Sequence, residues 1–212
     1  VEAGMRIHAF GAYATEPQVQ QALVELGFGT IVIDAAVPTE ALRNELSAGA
    51  TRPPSGASQE ISIRRAGEPD ADAIAALNTH LARHIGASPI FLPDAQGMSA
   101  AGWREWLADN DRVALIAEQD GEAVGYIKAE APADDVSYAV HAPDDLGING
   151  MYVSEEARRH RVGAALLAEL ADVAGRMGKR MISVDFESAN TEAMGFWLRW
   201  FHPVTHSFER RL

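Results

Sequence analysis

The spacing of apolar and polar residues predicts a mixed α/β domain in the C-terminal part of the chain. Ile61–Arg65 alternates as a strand does, and apolar residues then recur every three or four positions after Pro69, which predicts a helix. Two strands that meet at Asp120-Gly121 are predicted to form a hairpin, because this pair is typical of two-residue turns. The predicted elements after the first helix are a helix from Ser99, strands over 113–117, 123–127 and 148–153, a helix from Val162, a strand over 181–186, a helix over 191–200 and a strand over 203–210. The order is therefore β-α-α-β-β-β-α-β-α-β.

Residues 47–58 are predicted to be a flexible linker, because they hold no large apolar side chain but contain two prolines and two glycines. An acidic stretch over 132–145 is predicted to be a loop. The linker divides the chain into an N-terminal segment, residues 1–46, and a C-terminal domain, residues 59–212.

The N-terminal segment is predicted to form a β-α-β unit over residues 5–35. Arg6–Ala12 and Ile31–Ile33 have strand patterns, and Pro17 opens an amphipathic helix between them. So small a unit buries too little apolar surface to offset the conformational entropy lost on ordering, and its strands have open edges. We therefore expect it to dock on a sheet, either the chain's own or that of a second subunit. Docking on a second subunit, or pairing at a sheet edge, would make a homodimer.

The composition is that of a soluble globular protein, with 47% apolar and 23% charged residues. The net charge of −12 argues against nucleic acid as a partner, because phosphate binding needs a basic surface. No apolar run approaches the roughly 20 residues that span a bilayer, so no membrane partner is expected. Cysteine is absent, which excludes thiolate chemistry and leaves the cytoplasm as the expected compartment. His80 and His84 have a metal-ligand spacing but no accompanying carboxylate motif, so no metal is expected.

The most informative segment joins the strand Met151–Val153 to the helix that begins at Val162. A short polar loop lies between them. The free amides at a helix start, together with the helix dipole, form a site for anions. Gly163 and Ala164 would let a pyrophosphate approach the backbone closely, and arginines at 158, 159 and 161 add positive charge. The alternative interpretation is an ordinary helix start with solvated arginines.

This segment resembles motif A of the GNAT superfamily of acyl-CoA N-acyltransferases, whose loop reads Gln/Arg-x-x-Gly-x-Gly/Ala. Arg158 and Gly163 hold the first and last places of that pattern, while Arg161 stands where the middle glycine is usual. A second segment resembles the family's motif B, an Asn-x-x-Ala-x-x-aromatic-Tyr sequence after a strand. The residues that match motif B are Asn190, Ala193 and Phe196, whereas Trp197 replaces the tyrosine and Trp200 replaces a glycine. The N-terminal segment also resembles part of this fold, because Leu26-Gly-Phe28 is similar to the Gly-Phe close of motif B.

The resemblance implies an α/β fold with a GNAT-like mixed central sheet, flanked by helices, in which two parallel strands splay apart. Acetyl-CoA would lie in the gap between those strands as cosubstrate. The residues that the resemblance assigns to acetyl-CoA are Met151, Tyr152, Val153, Arg158, Arg159, His160, Arg161, Val162, Gly163, Ala164, Asn190 and Trp197. Asn190 has a second interpretation as the N-cap of the following helix, and both roles are compatible.

The implied reaction is transfer of an acetyl group to a primary amine of a small molecule or a peptide. The amine must lose a proton before it attacks, so a carboxylate or a water relay is expected as the base. Asp185 stands five residues before Asn190, where related N-terminal acetyltransferases carry a glutamate, and Glu118 and Glu187 are weaker candidates. A solvated or ion-paired Asp185 is the alternative. Because Trp197 replaces the tyrosine that usually serves as general acid, a non-catalytic acyl-CoA sensor or assembly protein is the alternative function.

Overall fold

A computed structural model describes residues 6–50, 61–92, 95–131, 142–158 and 160–211. The strands in these ranges are β1 (Ile7–Tyr13), β2 (Gly29–Pro38), β3 (Ile61–Arg65), β4 (Arg112–Gln119), β5 (Glu122–Glu130), β6 (Asp145–Val153), β7 (Met181–Glu187) and β8 (His202–Arg211). The helices are α1 (Pro17–Glu25), α2 (Thr39–Ala50), α3 (Ala71–Gly86), α4 (Ala100–Leu107), α5 (Val162–Arg176) and α6 (Thr191–Trp197). The strands form an eight-stranded mixed sheet in the order β1-β8-β2-β7-β6-β5-β4-β3.

Helices cover both faces of the sheet, and the alternation of each strand assigns its residues to one face or the other. The main core lies between the sheet and helices α2 and α5, and it takes Val113, Leu115 and Ala117 from β4. A second core lies on the opposite face under α3 and α4, where Trp103 and Tyr126 are fully buried. The predicted fold class, a mixed α/β sheet flanked by helices, is confirmed.

Strands β6 and β7 run parallel but pair over only part of their length. The ladder joins Asp145–Ile148 to Met181–Val184, and it ends there although β6 continues to Val153 and β7 to Glu187. Beyond Ile148, the edge of β6 that faces β7 is therefore not paired with β7. The two strands open a gap in the middle of the sheet, as the resemblance implied.

The N-terminal segment forms the predicted β-α-β unit, and it docks on the sheet of its own chain. Strand β2 lies between β7 and β8, antiparallel to both, and β1 pairs with the far side of β8. The relation of this unit to half of a second domain, and a homodimer through it or through a sheet edge, remain predictions.

The predicted linker begins too early, because helix α2 extends to Ala50. Leu42 and Leu46 lie four residues apart on α2, and both are buried in the main core. Their spacing was the available signal for this helix, and the small residues that follow them concealed it. Residues 51–58 of the predicted linker lie outside the described residues.

Two other predicted boundaries are also wrong. Strand β6 begins at Asp145 rather than residue 148. The Asp145 carboxylate is buried and accepts a 2.6 Å hydrogen bond from Ser183 Oγ. Residues 132–141 of the predicted acidic loop lie outside the described residues. Helix α6 ends at Trp197, three residues before the predicted end. No helix within the described ranges is long and apolar enough to cross a membrane.

Candidate functional site

A cleft of about 690 Å³ opens where β6 and β7 separate. One wall is formed by the end of β6, the start of α5 and helix α6, while Leu81 and His84 of α3 contribute from the opposite face of the sheet. The cleft therefore passes through the gap in the sheet and connects the α5 face with the α3 face.

The start of α5 offers an anion site to this cleft. Val162, Gly163 and Ala164 all line it, and the first-turn amides of a helix have no acceptor within the helix. The side chain of Arg161, the N-cap residue, only donates hydrogen bonds, so it cannot occupy these amides. The positive end of the helix dipole adds to the attraction for a phosphate group at this position.

Arg161 has a left-handed backbone conformation at the start of α5. Its φ of 63° and ψ of 14° lie in the left-handed region, which glycine adopts freely and other residues adopt at a cost of about 1 kcal/mol. Arg161 also lines the cleft.

Gly163 lies where three elements pack closely around the cleft. A Cβ atom at this position would lie 2.7 Å from Met151 Cε and 3.3 Å from Phe196 Cε2, so the flexible end of Met151 would have to shift. The absence of a side chain thus lets β6 and α6 close on the first turn of α5. From the sequence alone, the approach of a phosphate was the expected reason for this glycine.

Arg158 links β6 to α6 across the mouth of the cleft. Its Nε donates to the Val153 carbonyl at 3.2 Å, and its Nη1 donates to Glu192 Oε2 at 3.1 Å. The guanidinium also lies 5.8 Å from the centre of the Tyr152 ring. The Glu192 carboxylate is largely exposed, so this ion pair can exchange for a bound anion at little cost.

Tyr152 is held between a cation and an imidazole on the α3 side of the cleft. Its ring stacks on His80 of α3, with centroids 6.0 Å apart and planes 14° from parallel. Burial raises the pKa of the Tyr152 phenol, the nearby Glu155 and Glu156 add to the rise, and Arg158 opposes it. Because its side chain lies on the same face as that of Tyr126, it points away from α5.

Helix α6 contributes Asn190 and Trp197 to the cleft. Asn190 Oδ1 accepts a 3.1 Å hydrogen bond from the Ala193 amide, which confirms the predicted N-cap. Trp197 is only 6% exposed and packs edge-to-face on Phe196 and Phe201, with centroid distances of 4.9 and 5.5 Å.

Ten of the predicted acetyl-CoA residues line this one cleft. They are Met151, Tyr152, Val153, Arg158, Arg161, Val162, Gly163, Ala164, Asn190 and Trp197. His160 is exposed and does not line it, and Arg159 lies outside the described residues.

Three residues that line the cleft were not predicted from the sequence: Glu192, Arg199 and Trp200. Trp200 also has a buried indole N–H without a hydrogen-bond partner among the described residues. The available signal was its position in motif B, where the family usually has a glycine.

The predicted catalytic carboxylates do not line the cleft. Asp185 lies on β7 beyond the end of the β6 ladder, directly opposite Asp34 of β2, and both side chains are on the α3 face. Asp34 is 8% exposed and accepts a hydrogen bond from Thr205. Glu187 ends β7. Glu118 is bound by Arg64, at 2.6 Å between Oε1 and Nη2.

Comparisons with known proteins agree with this geometry. Residues 79–202 match the sequence profile of the Acetyltransferase (GNAT) family. The chain has no significant match among curated proteins. A conserved protein of unknown function from Staphylococcus epidermidis has a similar structure, with a TM-score of 0.56 and 15% identity over 97% of this chain and 73% of that one. That likeness therefore includes the N-terminal segment.

Two further structures resemble the C-terminal part of the fold. One is AAC(6')-Iy in complex with the bisubstrate analogue CoA-S-monomethyl-acetylneamine, with a TM-score of 0.52 and 21% identity over 66% of this chain and 89% of that one. The other is an acetyltransferase of the GNAT family from Streptococcus pneumoniae, with a TM-score of 0.53 and 14% identity over 72% of this chain and all of that one. At these identities the likeness shows the fold alone.

Proposed function

Because the chain belongs to the acetyltransferase (GNAT) family, we propose that it binds acetyl-CoA in the cleft between β6 and β7 and transfers the acetyl group to a primary amine. The observation that carries this proposal is the uncapped start of α5, which opens into the cleft beside Arg158 and Arg161. An anion site of this kind suits the pyrophosphate of the cosubstrate.

The free edge of β6 supports the placement of the pantetheine arm. From Asn149 to Val153 the strand has no partner on β7, so backbone groups on that side, apart from the Val153 carbonyl that Arg158 binds, can pair with the amides of an extended ligand. A ligand with its phosphates at α5 and its arm along β6 would carry its thioester into the gap in the sheet. The amine would then approach from the α3 face, past Leu81 and His84.

The α3 face also supports a cationic acceptor. Asp34 and Asp185 stand opposite each other in the register of β2 and β7, so this face carries two carboxylates that would attract a protonated amine. An amine of ordinary pKa near 10.4 must give up a proton before it attacks, and we propose that Asp185 accepts it through water. Glu118, which Arg64 binds, and Glu187 are the weaker alternatives.

The acceptor class that we favour is a small-molecule amine. AAC(6')-Iy is an aminoglycoside N-acetyltransferase, and its fold resembles that of this chain. A peptide amine is the alternative acceptor. The second candidate function, a non-catalytic acyl-CoA sensor, rests on Trp197, whose packed indole lines the cleft but cannot release a proton near neutral pH.

The test is release of CoA thiol from acetyl-CoA in the presence of a panel of amines that includes neamine, a polyamine and a short peptide. We expect at least one amine to accelerate thiol release, and Asp185→Asn to lower turnover on it by roughly 10²- to 10⁴-fold with acetyl-CoA affinity nearly unchanged. Glu118→Gln is the matched control and should retain most of the activity. Tight acetyl-CoA binding without transfer to any amine would favour the sensor, and full activity of Asp185→Asn would move the base elsewhere.

A further inference from the structure

A second cavity lies on the α3 face of the sheet, where β1, β8 and β2 run side by side. Its volume of about 630 Å³ suits a small organic ligand. Two hydroxyls, of Thr205 and Ser207, and two carboxylates, of Asp34 and Glu209, are among the groups that line it, and none of its described lining residues is basic. In the described parts of the chain this cavity shares no lining residue with the cleft between β6 and β7, so the proposed acetyl-CoA site does not account for it.

One row of side chains joins the second cavity to the proposed base. Asp185 of β7 stands opposite Asp34 of β2 in the strand register, and Asp34 stands opposite Thr205 of β8. Thr205 in turn stands opposite Tyr13 of β1. Residues that stand opposite one another lie on the same face of a sheet, and neighbouring strands are about 4.8 Å apart. Asp34 therefore lines the cavity and lies only one strand from Asp185.

Asp34 carries a buried charge that no described residue balances. The residue is 8% exposed, and its Oδ2 accepts a hydrogen bond from the Thr205 hydroxyl. Within the described ranges, no lysine or arginine pairs with Asp34 and no donor binds its Oδ1. His206 does not supply the missing charge, because burial lowers the pKa of its imidazole although Asp34 opposes that shift. Since a buried carboxylate without a cation is costly, the position of Asp34 favours a cationic ligand.

The rest of the cavity also suits a cation. Glu209 adds a second carboxylate, and the hydroxyls of Thr205 and Ser207 can accept hydrogen bonds from an ammonium group. Gly11 of β1 lines the same cavity, and a Cβ atom there would meet nothing within 4 Å. The cavity therefore has room for a ligand beside its charged groups.

We propose that this cavity binds a second cationic group of the acceptor, an inference that rests on the proposed function. The acceptor is then a diamine or polyamine, whose reacting nitrogen lies at Asp185 and whose second ammonium lies at Asp34. Charges held on two neighbouring strands orient the acceptor, so that one of its amines enters the gap in the sheet. Because β1 and β2 form part of this cavity, the N-terminal segment contributes to the choice of acceptor.

The test compares the binding of 1,4-diaminobutane and butylamine to the full chain, by calorimetry at neutral pH and fixed ionic strength. The wild-type protein should bind the diamine about tenfold more tightly, because only the diamine places an ammonium at each carboxylate. Asp34→Asn should lose most of this preference. Asp111→Asn removes the same charge at an exposed position before β4, so it is the matched control and should behave as wild type.

A second pair of variants keeps Asp34 in place, and it decides the matter if Asp34→Asn does not fold. Gly11→Lys puts an ammonium into the cavity, so it should weaken the diamine about tenfold by repulsion. Gly11→Gln adds a long side chain without a charge and should weaken the diamine much less. Equal effects of the two variants would contradict a site for a cation.

The remaining outcomes separate this inference from the proposed function. If the wild-type protein binds both amines equally, or if Asp34→Asn behaves as Asp111→Asn, the inference fails and the proposed function stands. If the diamine is preferred but the protein neither binds acetyl-CoA nor acetylates an amine, the proposed function fails and the acceptor role of the cavity fails with it. With an active diamine, Asp34→Asn should raise the KM for the diamine about tenfold and leave the KM for acetyl-CoA nearly unchanged. An unchanged KM for the diamine would overturn the inference.

Discussion

The cleft and the N-terminal segment reach their places in the fold by different means. The residues that line the cleft come mostly from one stretch of chain, residues 151–200, in which strand, loop and helix follow one another. The N-terminal segment instead fits β2 between two strands from the far end of the chain, β7 and β8. The arrangement of the cleft is therefore determined by local sequence, whereas the position of the N-terminal segment depends on long-range strand pairing.

The N-terminal segment is itself divided. Strand β2 and helix α2 belong to the main core, where Ala35 and Leu42 are fully buried. Strand β1 and helix α1 share a small separate cluster, and they leave Phe10, Tyr13 and Leu26 more than half exposed. The half that packs under α5 should therefore matter more for stability than the half at the sheet edge.

Leucine-to-alanine changes at two positions test this division, and they should have the largest effect. Leu42→Ala removes a side chain that is 0% exposed, so it should lower the free energy of unfolding by about 2 to 5 kcal/mol. Leu26→Ala removes one that is 61% exposed, and its effect should stay within about 0.5 kcal/mol. Urea unfolding of both variants gives the comparison. Equal effects would mean that the N-terminal segment is no part of the main core.

A smaller effect is expected at the cleft, where backbone strain at Arg161 can be measured with a pair of variants. Arg161→Gly and Arg161→Ala both remove the guanidinium, but only glycine adopts a φ of 63° without strain. The glycine variant should therefore be more stable than the alanine variant by about 1 kcal/mol. If urea unfolds the two at the same midpoint, the left-handed turn is absent in solution.

Much of the fold follows from local sequence, and particular residues show why. The Asp120-Gly121 turn has φ values of 53° and 82°, as a two-residue hairpin requires, and the pair alone predicted it. Ser99 caps α4 with a hydrogen bond from the Gly102 amide, at the predicted start of that helix. The cleft was predictable for the same reason, because the strand, the loop and the helix that carry its proposed phosphate site are contiguous.

The rest depends on partners that local sequence does not name. Nothing in the pattern of Ile31–Ile33 specifies β7 and β8 as its neighbours, because many strands could satisfy the same alternation. Asp145 was assigned to a loop by its charge, but Ser183 on the adjacent strand makes its burial tolerable. Asp34, now opposite Asp185, escaped notice because only the insertion of β2 brings the two together.

The central claim, that the start of α5 binds the phosphates of acetyl-CoA, is tested most directly by thermal unfolding with acetyl-CoA and with acetyl-pantetheine. The two ligands share the thioester arm, but only acetyl-CoA carries the pyrophosphate. A ligand that binds only the folded protein stabilises it by mass action, so a hundredfold excess of acetyl-CoA over its Kd should add about 2.7 kcal/mol. Acetyl-pantetheine at the same concentration should add far less. No stabilisation by millimolar acetyl-CoA, or equal stabilisation by both ligands, would contradict the claim.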